Sequence, residues 1–197
     1  MMTMDKSALL KCLAETGYNV GFGAKKHFAT YDIVGKVPGL IGFLSLSVGT
    51  LALVFDELSK KLPSALMVIL GVVALYIAFY DHSREKYNEV GVKLTKIYNE
   101  LRKLYRDVQS GNAGAFVNEE AELHRLENEY YSLSITKQIM FSDWYAHYKF
   151  FWQHQIDWIE EQKKFSFWRD KMPLTGTVVL VMIVLGSVGW GVWLLWR

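Results

Sequence analysis

The chain is predicted to be an all-α membrane protein: a transmembrane helical hairpin, long cytoplasmic helices and a third, C-terminal transmembrane helix. Three observations predict this. Two apolar runs, 37–55 and 62–80, each hold 19 residues and no ionisable side chain. A third uncharged run, 172–196, holds 25. Elsewhere charges are dense, so a mean hydropathy of only +0.10 averages two unlike kinds of segment.

At a rise of about 1.5 Å per residue the first two runs each cover roughly 28 Å, close to a hydrocarbon core of about 30 Å. The link Asp56-Glu57-Leu58-Ser59-Lys60-Lys61 is long enough only for a turn. The third run would cover about 37 Å and cross with some tilt. Its end carries Trp190, Trp193, Trp196 and Arg197, which suits an interfacial anchor. All three prolines, Pro38, Pro63 and Pro173, lie at the mouths of these runs, where a first helical turn tolerates a missing N–H. A cleaved signal peptide is excluded for the first run, because a long polar region precedes it and no small-residue cleavage site follows.

Residues 1–36 read as a cytoplasmic helical segment. Leu9, Leu10 and Leu13 mark one short apolar face, and Ala24, His27, Phe28 and Tyr31 another. Gly17, Gly21 and Gly23 are expected to interrupt or bend it. Lys and Arg number five before the first run, two in the hairpin turn, fourteen in 81–173 and one at the C-terminus. Cytoplasmic segments carry the basic excess, so the N-terminus and the 81–171 helical domain are expected inside, and the turn and C-terminus outside.

From residue 81 a charged helix is expected to leave the bilayer. Tyr87, Leu94, Leu101 and Val108 recur every seven residues, as do Val90, Ile97 and Leu104, forming a coiled-coil seam. That seam would hold either the intrachain bundle or an assembly of protomers. The stretch 110–114 ends the helix. Asn118 is placed to cap the next one, with Glu119, Glu120 and Glu122 in its first turn. Opposite net charge on the two helices suits an antiparallel pair. As one helix, 115–170 would overshoot the return to the membrane, so a break is expected in 132–136. The aromatics between Phe141 and Trp168 divide between bundle core and headgroup region.

No nucleotide-binding or zinc-protease motif occurs, and neither an enzyme nor a cofactor is expected. The single Cys12 excludes an internal disulfide. Asp143, His147 and His154 share a helical spacing but are too few for a metal site. A net charge of +2 gives no reason to expect direct nucleic-acid binding. His27 and His82 flank the inner membrane face and are candidate switch elements. The spans hold no charge, which argues against a coupled transporter. They hold small residues instead: Gly42, Ser45 and Gly49; Gly71 and Ala74, with Ala78; and Ser187 with Gly191. These are candidates for close helix packing or for lining a pore. Spans without a polar face enclose water only when several protomers assemble, so conduction requires a homo-oligomer in the bilayer.

Ala24-Lys25-Lys26-His27-Phe28-Ala29, then Gly39-Leu40-Ile41, an apolar run bearing Ser47-Val48-Gly49-Thr50 up to Phe55, a turn, a second span and a charged helix with Tyr98 and Leu101 follow in order. Over about residues 8–135 this resembles the SLATT domain, the two-transmembrane effector domain associated with SMODS nucleotidyltransferases and SLOG proteins. The resemblance implies a bacterial antiphage effector that assembles in the inner membrane and breaches it when a nucleotide-generating enzyme or other sensor is triggered. It carries no residue-level roles, and the third span lies beyond its two-span core. A non-conducting membrane scaffold, recruiting a soluble partner through the cytoplasmic helices, is the alternative.

Overall fold

A computed structural model describes residues 4–111, 116–154, 156–166 and 170–195, with side chains described as far as Ser187. The described residues are helical, in the order α1 (Lys6–Leu51), α2 (Lys61–Ala78), α3 (Arg84–Ser110), α4 (Val117–Leu133), α5 (Ser142–Gln153), α6 (Asp157–Glu160) and α7 (Leu174–Leu195). Short 3-10 turns, Asp56–Ser59 and Asp81–Ser83, join α1 to α2 and α2 to α3.

The helix α1 is the backbone of the molecule. Asp5 caps it, accepting the Ala8 amide at 2.7 Å, and it runs 46 residues without a break. At ~1.5 Å per residue that is about 69 Å. Gly17, Gly21 and Gly23 therefore do not interrupt the segment. At two of them the missing side chain admits a neighbour: a Cβ on Gly17 would lie 2.2 Å from the Trp158 ring, and one on Gly21 2.8 Å from Tyr98. Close packing explains these glycines, not bending. Pro38 likewise does not open a helix but lies inside α1. Its ring removes one ladder hydrogen bond, and α1 nevertheless continues through it to Leu51. Pro63 does sit in the first turn of α2, and Pro173 directly precedes α7.

Around the first half of α1 the remaining helices build one core. Leu9, Leu13 and Val20 meet Leu94, Leu101 and Val108 of α3, Leu123 and Leu126 of α4, Phe150 of α5 and Ile159 of α6. Trp158 donates its indole N–H to the Tyr98 hydroxyl at 2.9 Å inside this core. The helix α4 ends at Leu133 and an irregular segment, 134–141, leads to α5. Asn118 falls inside the first turn of α4, behind Phe116 at the cap position, so it is not the cap. The α3–α4 ion pair joins Glu100 to Arg125 at 2.9 Å, the reverse polarity to that expected from the net charges.

Beyond residue 36 the surroundings change. Only 11% of the most apolar window of α1 and 6% of that of the helix from Lys61 are buried. Leu46, Leu53, Leu62 and Leu75 are 72%, 86%, 72% and 68% exposed. Each large apolar side chain left in water forgoes ~1.5–3 kcal/mol of burial, so a belt of this size needs a hydrocarbon solvent. Its few hydroxyls are satisfied within their own helices: Ser47 donates to the Phe43 carbonyl at 2.9 Å and Thr50 to that of Leu46 at 2.8 Å. The third apolar run is not shown to be a span. Its apolar helix, Leu174–Ser187, is short over the described residues, which hold two helices long and apolar enough to cross.

Candidate functional site: the junction between bundle and hairpin

The segment 134–141 is held at the bundle-side ends of the hairpin by side chains from three helices. His27, 3% exposed on α1, donates Nδ1–H to its own helix at the Gly23 carbonyl, 2.7 Å away. Its Nε2 then accepts the Ile135 amide at 3.2 Å. These two bonds fix the neutral Nδ1–H tautomer. Burial holds its pKa below the ordinary histidine value. One turn along, Thr30 donates to Oε1 of Gln138 at 2.6 Å, while Gln138 returns its amide to the Ile135 carbonyl at 2.7 Å. From α3, Tyr87 donates to the Lys137 carbonyl at 2.6 Å. From α2, the Tyr76 hydroxyl accepts the Met140 amide at 3.4 Å. Phe141 closes the segment in the left-handed region at φ 66°, a conformation a bulky side chain rarely adopts.

Charge braces the same region. Asp32 on α1 pairs with Lys36 at 2.7 Å and with Lys149 of α5. Burial alone would raise the Asp32 carboxyl, but hydrogen bonds from both lysines hold it below the usual carboxylate range. Lys26 reaches Asp143 at 2.7 Å, a second α1–α5 tie. The Arg84 guanidinium stacks 4.5 Å over the Tyr31 ring and fills the space beside Gly35, where a Cβ would lie 2.5 Å from it. Deeper in the bundle, burial pushes His147 and His154 down, His154 to about 4 with Lys25 and Arg102 adding to the effect.

His27 and His82, both sequence candidates, have different surroundings. His82 lies exposed in the 3-10 turn after α2 and makes no ion pair or hydrogen bond with a described residue. Tyr87, Val90, Leu94, Ile97, Leu101 and Val108 are buried inside the chain, with Leu104 packed against the same core. Gly42, Gly49 and Gly71 face open space: a Cβ on any of them meets nothing within 4 Å. Ser45 and Gly49 line a cavity of about 410 Å³ between α1 and α2 at the turn that joins them. Ala74 is half-buried. Ser187 donates to the Ile183 carbonyl at 2.8 Å, and the surroundings of Gly191 lie outside the described residues. Among the described residues no group of three or more His, Cys, Asp or Glu is placed to hold a metal ion.

Sequence reasoning missed Thr30, Tyr76, Ile135 and Gln138. None stands out in one dimension, because each matters only through a partner more than sixty residues away. The cue that was available is that His27 and Thr30 sit one turn apart on an otherwise apolar face.

No curated protein and no solved structure matches the chain at a significant level. The family model described as SMODS and SLOG-associating 2TM effector domain 6 matches residues 4–180, which takes in the bundle, the hairpin, the junction and the start of α7. The chain belongs to this SLATT family of two-transmembrane effector domains.

Proposed function

We propose that the chain is the membrane effector of a bacterial antiphage system, in which a signal received by the cytoplasmic bundle rearranges the hairpin in an oligomer and permeabilises the inner membrane. Family membership supports the effector role. The observation that carries the mechanism is the unbroken α1, one helix that is core to the bundle at Leu13 and membrane-facing at Leu46. Displacing its inner half must displace its outer half. The open small-residue positions Gly42, Gly49 and Gly71 supply surfaces on which a second protomer would pack closely.

The basic residues set the orientation in this reading: bundle and N-terminus in the cytoplasm, hairpin turn outside. The run 172–196 crosses a third time and places the C-terminus outside, consistent with the uncharged helix Leu174–Leu195. The trigger is a soluble sensor or its nucleotide product acting on the bundle. The test is to co-express the chain with its neighbouring genes, trigger the system and follow membrane potential. Depolarisation that Gly49→Leu abolishes, with the protein still inserted, is the expected result. Arrested cells with unchanged potential would overturn permeabilisation and favour the scaffold role.

A further inference from the structure

Where α3 and α5 pack on α1, a narrow cleft is lined by Gly21, Lys25, Thr95, Tyr98 and His154. Gly21 lets the α1 backbone approach Tyr98, and the Tyr98 and His154 rings lie 4.8 Å apart between centroids. The cleft is too narrow to admit a water molecule, so what it offers a solute is its rim.

That rim is basic. Lys25 from α1 and His154 at the end of α5 both line it. Arg102, one turn beyond Tyr98 on α3, acts on the same imidazole: burial first, then the Lys25 and Arg102 charges, bring His154 down to about 4. Lys25 is held below the ordinary lysine value, by burial and then by the Lys149 ammonium. Neither Lys25 nor Arg102 pairs with a carboxylate among the described residues. Asp32 is already shared between Lys36 and Lys149, and the exposed Asp157 lies toward Tyr98. Lys25, Arg102 and His154 are half-buried, so a solute can reach them. Like charges gathered without a counter-charge cost a fold stability, and such placements concentrate where a ligand supplies the missing charge. A lone carboxylate would meet one of these groups. A phosphoryl group carries up to about two negative charges and three acceptor oxygens, enough for an ammonium, a guanidinium and an imidazolium together.

We infer that this rim is a binding site for a phosphate-bearing small molecule, its phosphoryl oxygens held by Lys25, Arg102 and His154. Such a ligand ties α1, α3 and α5 together at one point of the bundle. The inference deepens the proposed function, giving the bundle a place where a soluble signal acts, and rests on that reading for its consequence.

The full chain, purified in non-ionic detergent, is titrated with inorganic pyrophosphate, ADP and adenosine by isothermal calorimetry, and melting temperature is followed in parallel. Pyrophosphate and ADP should bind and raise the melting temperature, and adenosine should do neither. Equal affinities for the two phosphates uphold the site as a reader of phosphate alone, and tighter binding of ADP upholds it as a reader of the organic part as well. Lys25→Met and Arg102→Gln should each weaken binding roughly tenfold. Without ligand, Lys25→Met should melt no lower than the native chain, because it keeps the apolar stem and removes an uncompensated charge. A lower melting temperature with unchanged affinity would make Lys25 structural and overturn the site. So would absence of binding by both phosphates, or binding of a poly-glutamate peptide in their place, which assigns the rim to an acidic protein. Failure in these titrations leaves membrane depolarisation untouched, whereas a chain that binds pyrophosphate yet never depolarises triggered cells overturns the proposed function alone.

Discussion

The Ile135 amide donates to Nε2 of His27 at 3.2 Å, so one neutral imidazole joins the helix that enters the membrane to the segment that returns from the bundle. The other ring nitrogen is occupied by Gly23, and a second proton on the ring would point N–H at N–H. The junction is therefore written for the unprotonated ring.

Replacing His27 by Phe keeps the bulk and removes both bonds. It leaves the Ile135 amide without its acceptor, a loss of about 1–3 kcal/mol. Thermal unfolding of the purified protein should drop accordingly, and limited proteolysis should cut within 134–141 sooner than in the native chain. Equal proteolysis rates would show that Thr30 and Tyr87 suffice to hold the segment.

Acid should loosen the bundle. His27, His147 and His154 all have folded pKa values below their ordinary 6.5, so the unfolded chain binds more protons and stability falls as pH falls. The decline should begin near the ordinary histidine value and extend to about 4, the value for His154. Asp32, held low by its lysines, adds a further loss below its ordinary 3.8. Chemical denaturation across this range tests the sign: a midpoint that rises on acidification contradicts it.

Glycine positions on α1 should separate by neighbour. Gly21→Ala places a Cβ 2.8 Å from Tyr98 and 2.9 Å from Phe150, both in a packed core. Overpacking of this kind costs about 1–3 kcal/mol. Gly23→Ala meets nothing closer than 3.4 Å, at the Tyr130 ring, and gains up to about 1 kcal/mol of helix propensity. Opposite shifts in melting temperature are expected from two alanines half a turn apart.

Asp32→Ala leaves the largely buried Lys149 ammonium without its carboxylate. Loss of a hydrogen bond to a charged group costs about 1.5–3 kcal/mol, and solvent reaching Lys36 places this site toward the lower figure. Asp32→Asn should recover part of it by keeping an acceptor oxygen, and that ordering is read from melting temperatures.

Membrane orientation is testable with single cysteines in a Cys12→Ser background. Ser59→Cys in the hairpin turn should react with an impermeant maleimide from outside intact spheroplasts, and Ser132→Cys at the end of α4 only after lysis. The reverse pattern inverts the proposed topology.

The helical class and the two membrane helices were legible because hydropathy and periodicity are local. Which face of α3 is buried was also legible, since Leu94, Leu101 and Val108 repeat with the helix. What the seam packs against was not, because a heptad serves an intrachain core and an oligomer equally. Pro38 and the α1 glycines misled for a related reason. Their local preference is to break a helix, but here Trp158, Tyr98 and Phe150 arrive from distant sequence to occupy the space those glycines leave. The Glu100–Arg125 pair shows the same limit, since net charge does not determine which side chains face each other. The junction was the least legible part, being made of contacts rather than of motifs.

The single length of α1 sets a mechanical scale. In the proposed mechanism, α1 tilting as one helix would act as a lever pivoted where 134–141 grips it at His27 and Thr30. About 32 Å of helix lies beyond that pivot, so a tilt of about 10° at the bundle sweeps the outer end through roughly 6 Å. That is more than half the usual spacing between packed helix axes, enough to exchange one neighbour for another. Under that proposal, a small rearrangement among bundle side chains becomes a change of contacts at the far end of the hairpin.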